Sequence, residues 1–220
     1  MEMIGYGYYD ASVQLATMIV PVAVYFLILG LLNTRNKPQL LTARGDFSLL
    51  LVSLSPLLIL PVLGAVGVSA LSVTITAAVV GGAVLLLAPK GPSWVVYNLS
   101  IKKTINAVED ALIKMSLPYK PSRDGFVMNS DGDPFESPAI HISGFVLLRN
   151  VSIRLDRADA DLAERFQAEL HRSLSAIRTE ANSMAVALLL VATAMLVAPV
   201  TLLAHKGVPE LVRLLTGLMQ

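Results

Sequence analysis

The chain has 220 residues, of which 55% are hydrophobic and only 15% charged. Ordinary soluble domains are about one quarter charged, so this composition is typical of a membrane protein and excludes a disordered or fibrous chain. The net charge of +1 argues against nucleic-acid binding, and the absence of cysteine excludes disulfides and thiolate metal sites.

Four stretches are long and apolar enough to cross a bilayer, at residues 13–32, 47–68, 70–88 and 184–203. A helix needs roughly 20 apolar residues to span the hydrocarbon layer. None of the four contains Asp, Glu, Lys, Arg or His, each of which is costly at the membrane centre. The sequence therefore predicts a four-helix membrane protein. Three of its helices lie within 13–89, and an N-terminal tail at 1–12 is expected to be retained rather than cleaved as a signal peptide.

Basic residues predict the orientation of these helices. The loop at 33–46 and the long segment at 89–183 together hold 15 of the 17 Lys and Arg residues. Basic loops stay in the cytoplasm, so we expect both termini outside and the domain at 90–183 inside the cell, at the inner (plasma) membrane.

Two details follow from this orientation. Lys90, Lys102 and Lys103 lie close to a span end, where they are expected to contact anionic lipid headgroups. The glycosylation triplets at Asn98 and Asn150 are expected to be unused, because glycans are added on the opposite side of the membrane.

The second and third predicted spans contain helix-perturbing residues. Pro56 and Pro61 lie in the second, and Gly81 with Gly82 in the third. One interpretation is a pair of interrupted helices whose freed backbone groups line a transport pathway. The other is ordinary kinks and close helix packing, which is favoured because no ionisable side chain accompanies these residues.

The segment at 90–183 predicts a small cytoplasmic α+β domain made of a helix, antiparallel strands and a second helix. An apolar stripe predicts the first helix at 100–115, and a second stripe predicts another from about Asp161, capped by Asp161 and Glu164. Between the helices, alternating apolar residues predict strands, and the apolar run 145–148 is expected to be covered on both faces. Both helices are expected to pack on the sheet.

Two arrangements remain open for the join to the last span. No Gly or Pro occurs between Gly144 and Pro199, so the second helix either continues into the span or bends near Asn182 and Ser183. After the span, residues 204–220 are expected to form an outer amphipathic tail that lies in the interface.

The search for catalytic and metal-binding patterns finds none that is convincing. His141 and His171 are expected to be surface or packing residues, and His205 falls across the membrane from both. The acidic run at 131–136 is expected to be a turn, because its spacing does not match a calcium loop. We expect no cofactor and no metal, and no known family is recognised.

These observations favour a non-enzymatic accessory, assembly or signal-coupling subunit. Its cytoplasmic domain would dock a partner, and we expect membrane lipids together with a protein partner or a second copy, but no nucleic acid. An oligomeric transporter or channel component is the main alternative, and an enzyme acting on lipid headgroups is a remote third. The residues expected to contact the partner are Phe145, Leu147, Arg149, Arg165 and Arg172.

Overall fold

The computed structural model describes residues 4–67, 69–128, 137–145, 149–180 and 182–218. Within them the chain forms six helices: α1 (Ile4–Thr34), α2 (Ala43–Val66), α3 (Ala70–Leu87), α4 (Ile101–Lys114), α5 (Ala160–Ser175) and α6 (Ser183–Leu218). The same residues form six strands: β1 (Gln39–Thr42), β2 (Ser93–Tyr97), β3 (Tyr119–Ser122), β4 (Gly125–Met128), β5 (Ala139–Phe145) and β6 (Asn150–Asp156).

Four of the helices are long and apolar enough to cross a membrane. The candidate spans are Leu15–Thr34, Ala43–Leu63, Ala70–Leu87 and Ser183–Thr201, with mean hydropathies between 2.1 and 2.5. Large apolar side chains on these helices are exposed, as lipid-facing residues require; Leu86 is 82% exposed and Leu190 is 68% exposed. Length and composition therefore confirm the prediction of four membrane-spanning candidates.

The helices extend beyond the predicted spans at both ends of the chain. Helix α1 begins at Ile4, so most of the predicted tail at 1–12 is helical. Helix α6 continues to Leu218, so residues 204–218 of the predicted amphipathic tail continue the last candidate span rather than forming a separate helix, and residues 219 and 220 lie outside the described residues.

The chain divides into two compact units, and the second, Leu29–Ser48 with Leu87–Ala187, is called the α+β unit here. It contains the whole sheet, α4 and α5. It also contains the last turn of α1, the first turn of α2, the final residue of α3 and the first turn of α6. These are the helix ends that the predicted threading assigns to the cytoplasmic side.

The six strands form one antiparallel sheet in the order β1-β2-β6-β5-β4-β3. Strand β1 comes from the loop at 33–46 and pairs with β2, with Gln39 opposite Tyr97 and Thr42 opposite Trp94. Strand β3 forms the other edge, where Pro121 is tolerated because an edge strand leaves amides unpaired. The antiparallel sheet confirms the predicted α+β class, although β1, β2 and β3 were not predicted.

Helices α4 and α5 cover one face of the sheet. Val108 and Leu112 of α4 and Phe166 and Leu170 of α5 are fully buried in a core shared with the strands. Trp94 of β2 packs against Phe166 with ring centroids 5.5 Å apart. Burying each of these side chains contributes about 1.5–3 kcal/mol, so the two predicted helix stripes supply much of the stability of this unit.

The opposite face of the sheet is polar along β5 and β6. His141, Ser152 and Arg154 are exposed there, and Arg154 pairs with Asp156 at 2.9 Å. This alternation of buried and exposed residues is the pattern from which both strands were predicted.

Two sequence predictions need correction, and one of the two open arrangements at the join to the last span is confirmed. The side chain of Asp159, rather than the Asp161–Glu164 pair, caps α5 by accepting from the Leu162 N–H at 2.7 Å. Helix α5 ends at Ser175 and α6 begins at Ser183, so the chain takes the second of the two arrangements and the helix is broken. Phe145 is 58% exposed instead of covered, because it lies at the very end of β5, and the rest of the predicted run, 146–148, lies outside the described residues.

Candidate functional site

Asn98 connects three separate parts of the α+β unit. It lies between β2 and α4, is only 1% exposed, and has a φ of 61°, which Asn adopts more readily than most residues. Its backbone N–H donates to Asn33 Oδ1 at 3.0 Å. Its side-chain Nδ2 donates to the carbonyl of Arg35 at 2.9 Å and to Thr179 Oγ1 at 3.0 Å.

These bonds unite the end of α1 with the linker that leads into α6. Asn33 belongs to the last turn of α1 and is fully buried. The Asn182 N–H donates to the Asn33 carbonyl at 3.4 Å, and the Asn182 carbonyl accepts from Ala185 in the first turn of α6. We call the five residues Asn33, Arg35, Asn98, Thr179 and Asn182 the Asn98 junction. Because Asn98 is buried, a glycan cannot be accommodated there in the folded chain.

A charged cavity of about 330 Å³ lies beside this junction. Its lining includes Asn98, Ser100, Lys103, Arg149, Arg178 and Glu180. Within the described ranges, Lys103, Arg149 and Arg178 form no ion pair, even with the Glu180 carboxylate that shares the cavity. Three cations against the one carboxylate of Glu180 leave a net charge of +2 around the cavity, and the resulting positive potential favours an anionic ligand.

The amino end of α4 also faces this region. Ser100 is the N-cap residue of α4, yet its side chain makes no capping hydrogen bond. The first N–H groups of a helix have no partner within the helix and carry partial positive charge. They therefore add to the positive potential of Lys103, Arg149 and Arg178.

A second cavity of about 300 Å³, the apolar groove, adjoins the charged cavity and shares Leu99, Ser100 and Arg149 with it. Its apolar lining also includes Ile101, Phe145 and Val151. Gly144 of β5 lets Ile101, which lines the groove, pack closely on the strand, because a Cβ at position 144 would lie 2.7 Å from Ile101 Cγ1. A charged cavity and an apolar groove thus meet at Arg149, between α4 and the β5–β6 connection.

The contact between α4 and α5 contains a carboxylate with a lowered pKa. Asp110 of α4 accepts hydrogen bonds from Lys114 at 2.7 Å and from Ser173 of α5 at 2.6 Å. These bonds stabilise the carboxylate and lower the pKa of Asp110 below its ordinary value of 3.8. The hydrogen bond between Ser173 and Asp110 joins α5 to α4, the two helices that cover the sheet.

The structure brings together four of the residues predicted for partner or lipid contact. Phe145 and Lys102 line the apolar groove, Lys103 lines the charged cavity, and Arg149 lines both. Leu147 lies outside the described residues.

The other predicted contact residues lie apart from this site. Arg165 pairs with Asp161 at 3.1 Å and Arg172 with Glu169, so each is engaged within α5. Lys90, Arg165 and Arg172 are absent from the linings of both the charged cavity and the apolar groove.

The predicted perturbing residues do not interrupt their helices. Helix α2 continues through Pro56 and Pro61, and α3 through Gly81 and Gly82. A Cβ built on either glycine meets no described atom within 4 Å. The close helix packing expected at these glycines is therefore not found among the described parts of this chain.

Sequence reasoning missed the Asn98 junction. The sequence analysis includes Asn98 only as part of a glycosylation triplet, and Asn33 only as the first residue of the loop at 33–46. The available signal in the sequence is the pair of asparagines at positions 33 and 98, each of which follows an apolar stretch. The amide groups of such residues need buried hydrogen-bond partners or water.

The described residues show no metal site, and comparisons with known proteins give no match. Among the described residues, no group of three or more His, Cys, Asp or Glu side chains is arranged to hold a metal ion. His141 Nε2 lies 3.5 Å from Asp156 Oδ2, and His171 is exposed on α5. The acidic run at 131–136 lies outside the described residues.

In comparisons with known proteins, no family model, no curated protein and no solved structure matches the chain.

Proposed function

We propose that the chain is a multi-pass protein of the inner (plasma) membrane that acts as a non-enzymatic accessory and signal-coupling subunit. Its α+β unit lies on the cytoplasmic side and docks a partner at the site around Arg149. Docking is coupled to the membrane helices through the Asn98 junction. Both termini lie outside.

The orientation is supported by charge and by the composition of the α+β unit. The basic loops at 33–46 and 89–183 hold 15 of 17 Lys and Arg residues. The ends of α1, α2, α3 and α6 that adjoin these loops all belong to the α+β unit. A chain threaded four times through a bilayer brings these same ends to one side, so the two observations agree.

The docking site is supported by its exposure and chemistry. Phe145 is 58% exposed beside a groove, and Arg149 stands between that groove and a cavity with two further unpaired cations. Aromatic and Arg side chains are enriched where proteins bind partners.

The single observation that carries the coupling is the set of hydrogen bonds made by Asn98. This residue lines the charged cavity and bonds to Asn33 in α1, to Arg35 just after it, and to Thr179 in the linker before α6. An occupant that moves the β2–α4 turn must therefore strain or release bonds to one candidate span, α1, and to the linker that leads into another, α6. A coupled device requires such a shared element, whose state both sites influence.

Photocrosslinking in native membranes tests the docking site. A photoreactive phenylalanine analogue replaces Phe145 in one variant and Ile113 in a matched control, since Ile113 is an equally exposed apolar residue of α4 at 60%. We expect one discrete adduct from position 145 and none from position 113. No adduct at 145, or the same adducts at both positions, refutes the proposal.

An oligomeric transporter or channel component stays the alternative prediction. Helices α2 and α3 continue through Pro56, Pro61, Gly81 and Gly82, so we propose the coupling role first.

A further inference from the structure

We infer that the partner recognised at this site is an anionic phospholipid. Its phosphate group occupies the charged cavity and one acyl chain lies in the apolar groove. This inference deepens the proposed function, on which it rests for the cytoplasmic position of the α+β unit, by naming the chemical class of the docked partner.

The phosphate assignment follows from the net positive charge of the cavity lining, which has three cations against the single carboxylate of Glu180. Lys103, Arg149 and Arg178 surround the cavity without an ion pair in the described part of the chain. Guanidinium groups form bidentate charge-assisted hydrogen bonds with phosphate, and an ammonium group adds a third contact. The uncapped N–H groups after Ser100 are suitable donors for the same phosphate oxygens.

The acyl-chain assignment follows from the apolar groove. The groove joins the charged cavity at Leu99, Ser100 and Arg149, and continues along Ile101 and Phe145. Its volume of about 300 Å³ is at the lower limit of small-ligand sites, which suits part of a lipid rather than a folded protein segment. A soluble phosphate compound leaves the groove and the exposed Phe145 ring uncovered.

The position of the site along the chain favours the same occupant. Asn98 is bonded to Asn33 in the last turn of α1, which is a candidate span. Lys102 and Lys103 adjoin the cavity on the first turn of α4 and add attraction to an anionic bilayer surface. A lipid headgroup is therefore the phosphate source available at this end of α1.

Native mass spectrometry of the full chain tests the assignment. The purified, delipidated protein in a nonionic detergent is titrated with dihexanoyl phosphatidylglycerol, with inorganic phosphate, or with uncharged dihexanoylglycerol. Arg149→Gln and Phe145→Ser remove the charged and apolar contacts respectively. Arg165→Gln and Ile113→Ser are the matched controls, since both residues are exposed and neither lines the two cavities.

We expect the wild-type chain to bind one phosphatidylglycerol with a preference that the controls keep. Loss of one charge-assisted contact in Arg149→Gln should weaken binding about tenfold, and Phe145→Ser should weaken it about fivefold. Fluorescence of Trp94, the single tryptophan, verifies folding of each variant. If Arg149→Gln fails to fold, Arg178→Gln takes its place.

Several outcomes overturn the inference. Equal binding by wild type and the Arg149 or Arg178 variant means that bound lipid merely coats the apolar helices. Displacement of the lipid by an equal concentration of inorganic phosphate assigns the site to a soluble anion. A protein adduct at position 145 in membranes keeps the proposed docking role and refutes the lipid assignment, whereas a lipid adduct supports both.

Discussion

Substitution of Asn98 should destabilise the α+β unit to an extent that depends on whether the replacement tolerates a positive φ. Asn98→Gly removes the two side-chain hydrogen bonds to Arg35 and Thr179 while keeping a φ of 61° accessible. At about 1 kcal/mol for each hydrogen bond, the two lost bonds cost about 2 kcal/mol. Both replacements also remove Asn98 Oδ1, which is buried without a partner among the described residues, and this returns about 1 kcal/mol, so Asn98→Gly should lower the free energy of unfolding by about 1 kcal/mol. Asn98→Ala adds about 1 kcal/mol of left-handed strain, giving a loss of about 2 kcal/mol.

The chain offers a clean assay for this prediction. Trp94 is its only tryptophan and is buried in the core of the α+β unit, so denaturant titration followed by tryptophan fluorescence reports that unit alone. Asn106→Ala is the control, because Asn106 is an exposed residue of α4. Equal losses for Gly and Ala would contradict the conformational argument. A loss below about 0.5 kcal/mol in both variants would mean that the bonds of the junction are not formed.

Two further perturbations address the sheet and the helix pair. Gly125→Ala should abolish cooperative unfolding or lower the free energy of unfolding by at least about 3 kcal/mol. The reason is that the new Cβ would lie 2.0 Å from the carbonyl oxygen of Ile140, at a residue whose φ is 148°. An unchanged denaturation midpoint, followed by tryptophan fluorescence, would contradict this. The lowered pKa of Asp110 means that its contribution to stability is fully present above pH 3.8 and is lost as the pH falls through the lowered pKa. Wild type should therefore lose more stability below pH 3.8 than Asp110→Asn does, and parallel acid titrations of the two proteins would refute the link.

The parts of the fold that were predicted are those with a local signal. The candidate spans were found because charge is absent from long apolar stretches, and α4 and α5 because their apolar residues repeat at helical spacing. Strands β5 and β6 were found because one face of the sheet is polar, which leaves alternation in the sequence.

The missed strands lack such a signal. Strand β2 follows α3 closely and has four consecutive buried residues, Trp94 to Tyr97, so no alternation marks it. Strand β1 has only four residues, and its pairing with β2 joins segments more than 50 residues apart. Both depend on tertiary contacts, which override local propensity in short strands.

The residues of the docking site that were predicted are those whose side-chain type alone suggests partner binding. Phe145 and Arg149 stand out as an aromatic and a cation near a hairpin, and both line the site. Arg165 and Arg172 looked similar, but acidic residues four and three positions earlier engage them. The Asn98 junction depends on partners 63 to 81 residues away, and no pattern in one sequence reveals such distant bonds.

Cysteine labelling of sealed right-side-out vesicles tests the central claim most directly, since the natural chain has no cysteine. Ser143→Cys places one thiol at an exposed position of β5, and Ser69→Cys places one between α2 and α3. With a membrane-impermeant maleimide, Ser69→Cys should be labelled at once and Ser143→Cys only after the vesicles are lysed. Immediate labelling at position 143 with protection at position 69 would invert the threading and remove the proposed cytoplasmic docking site.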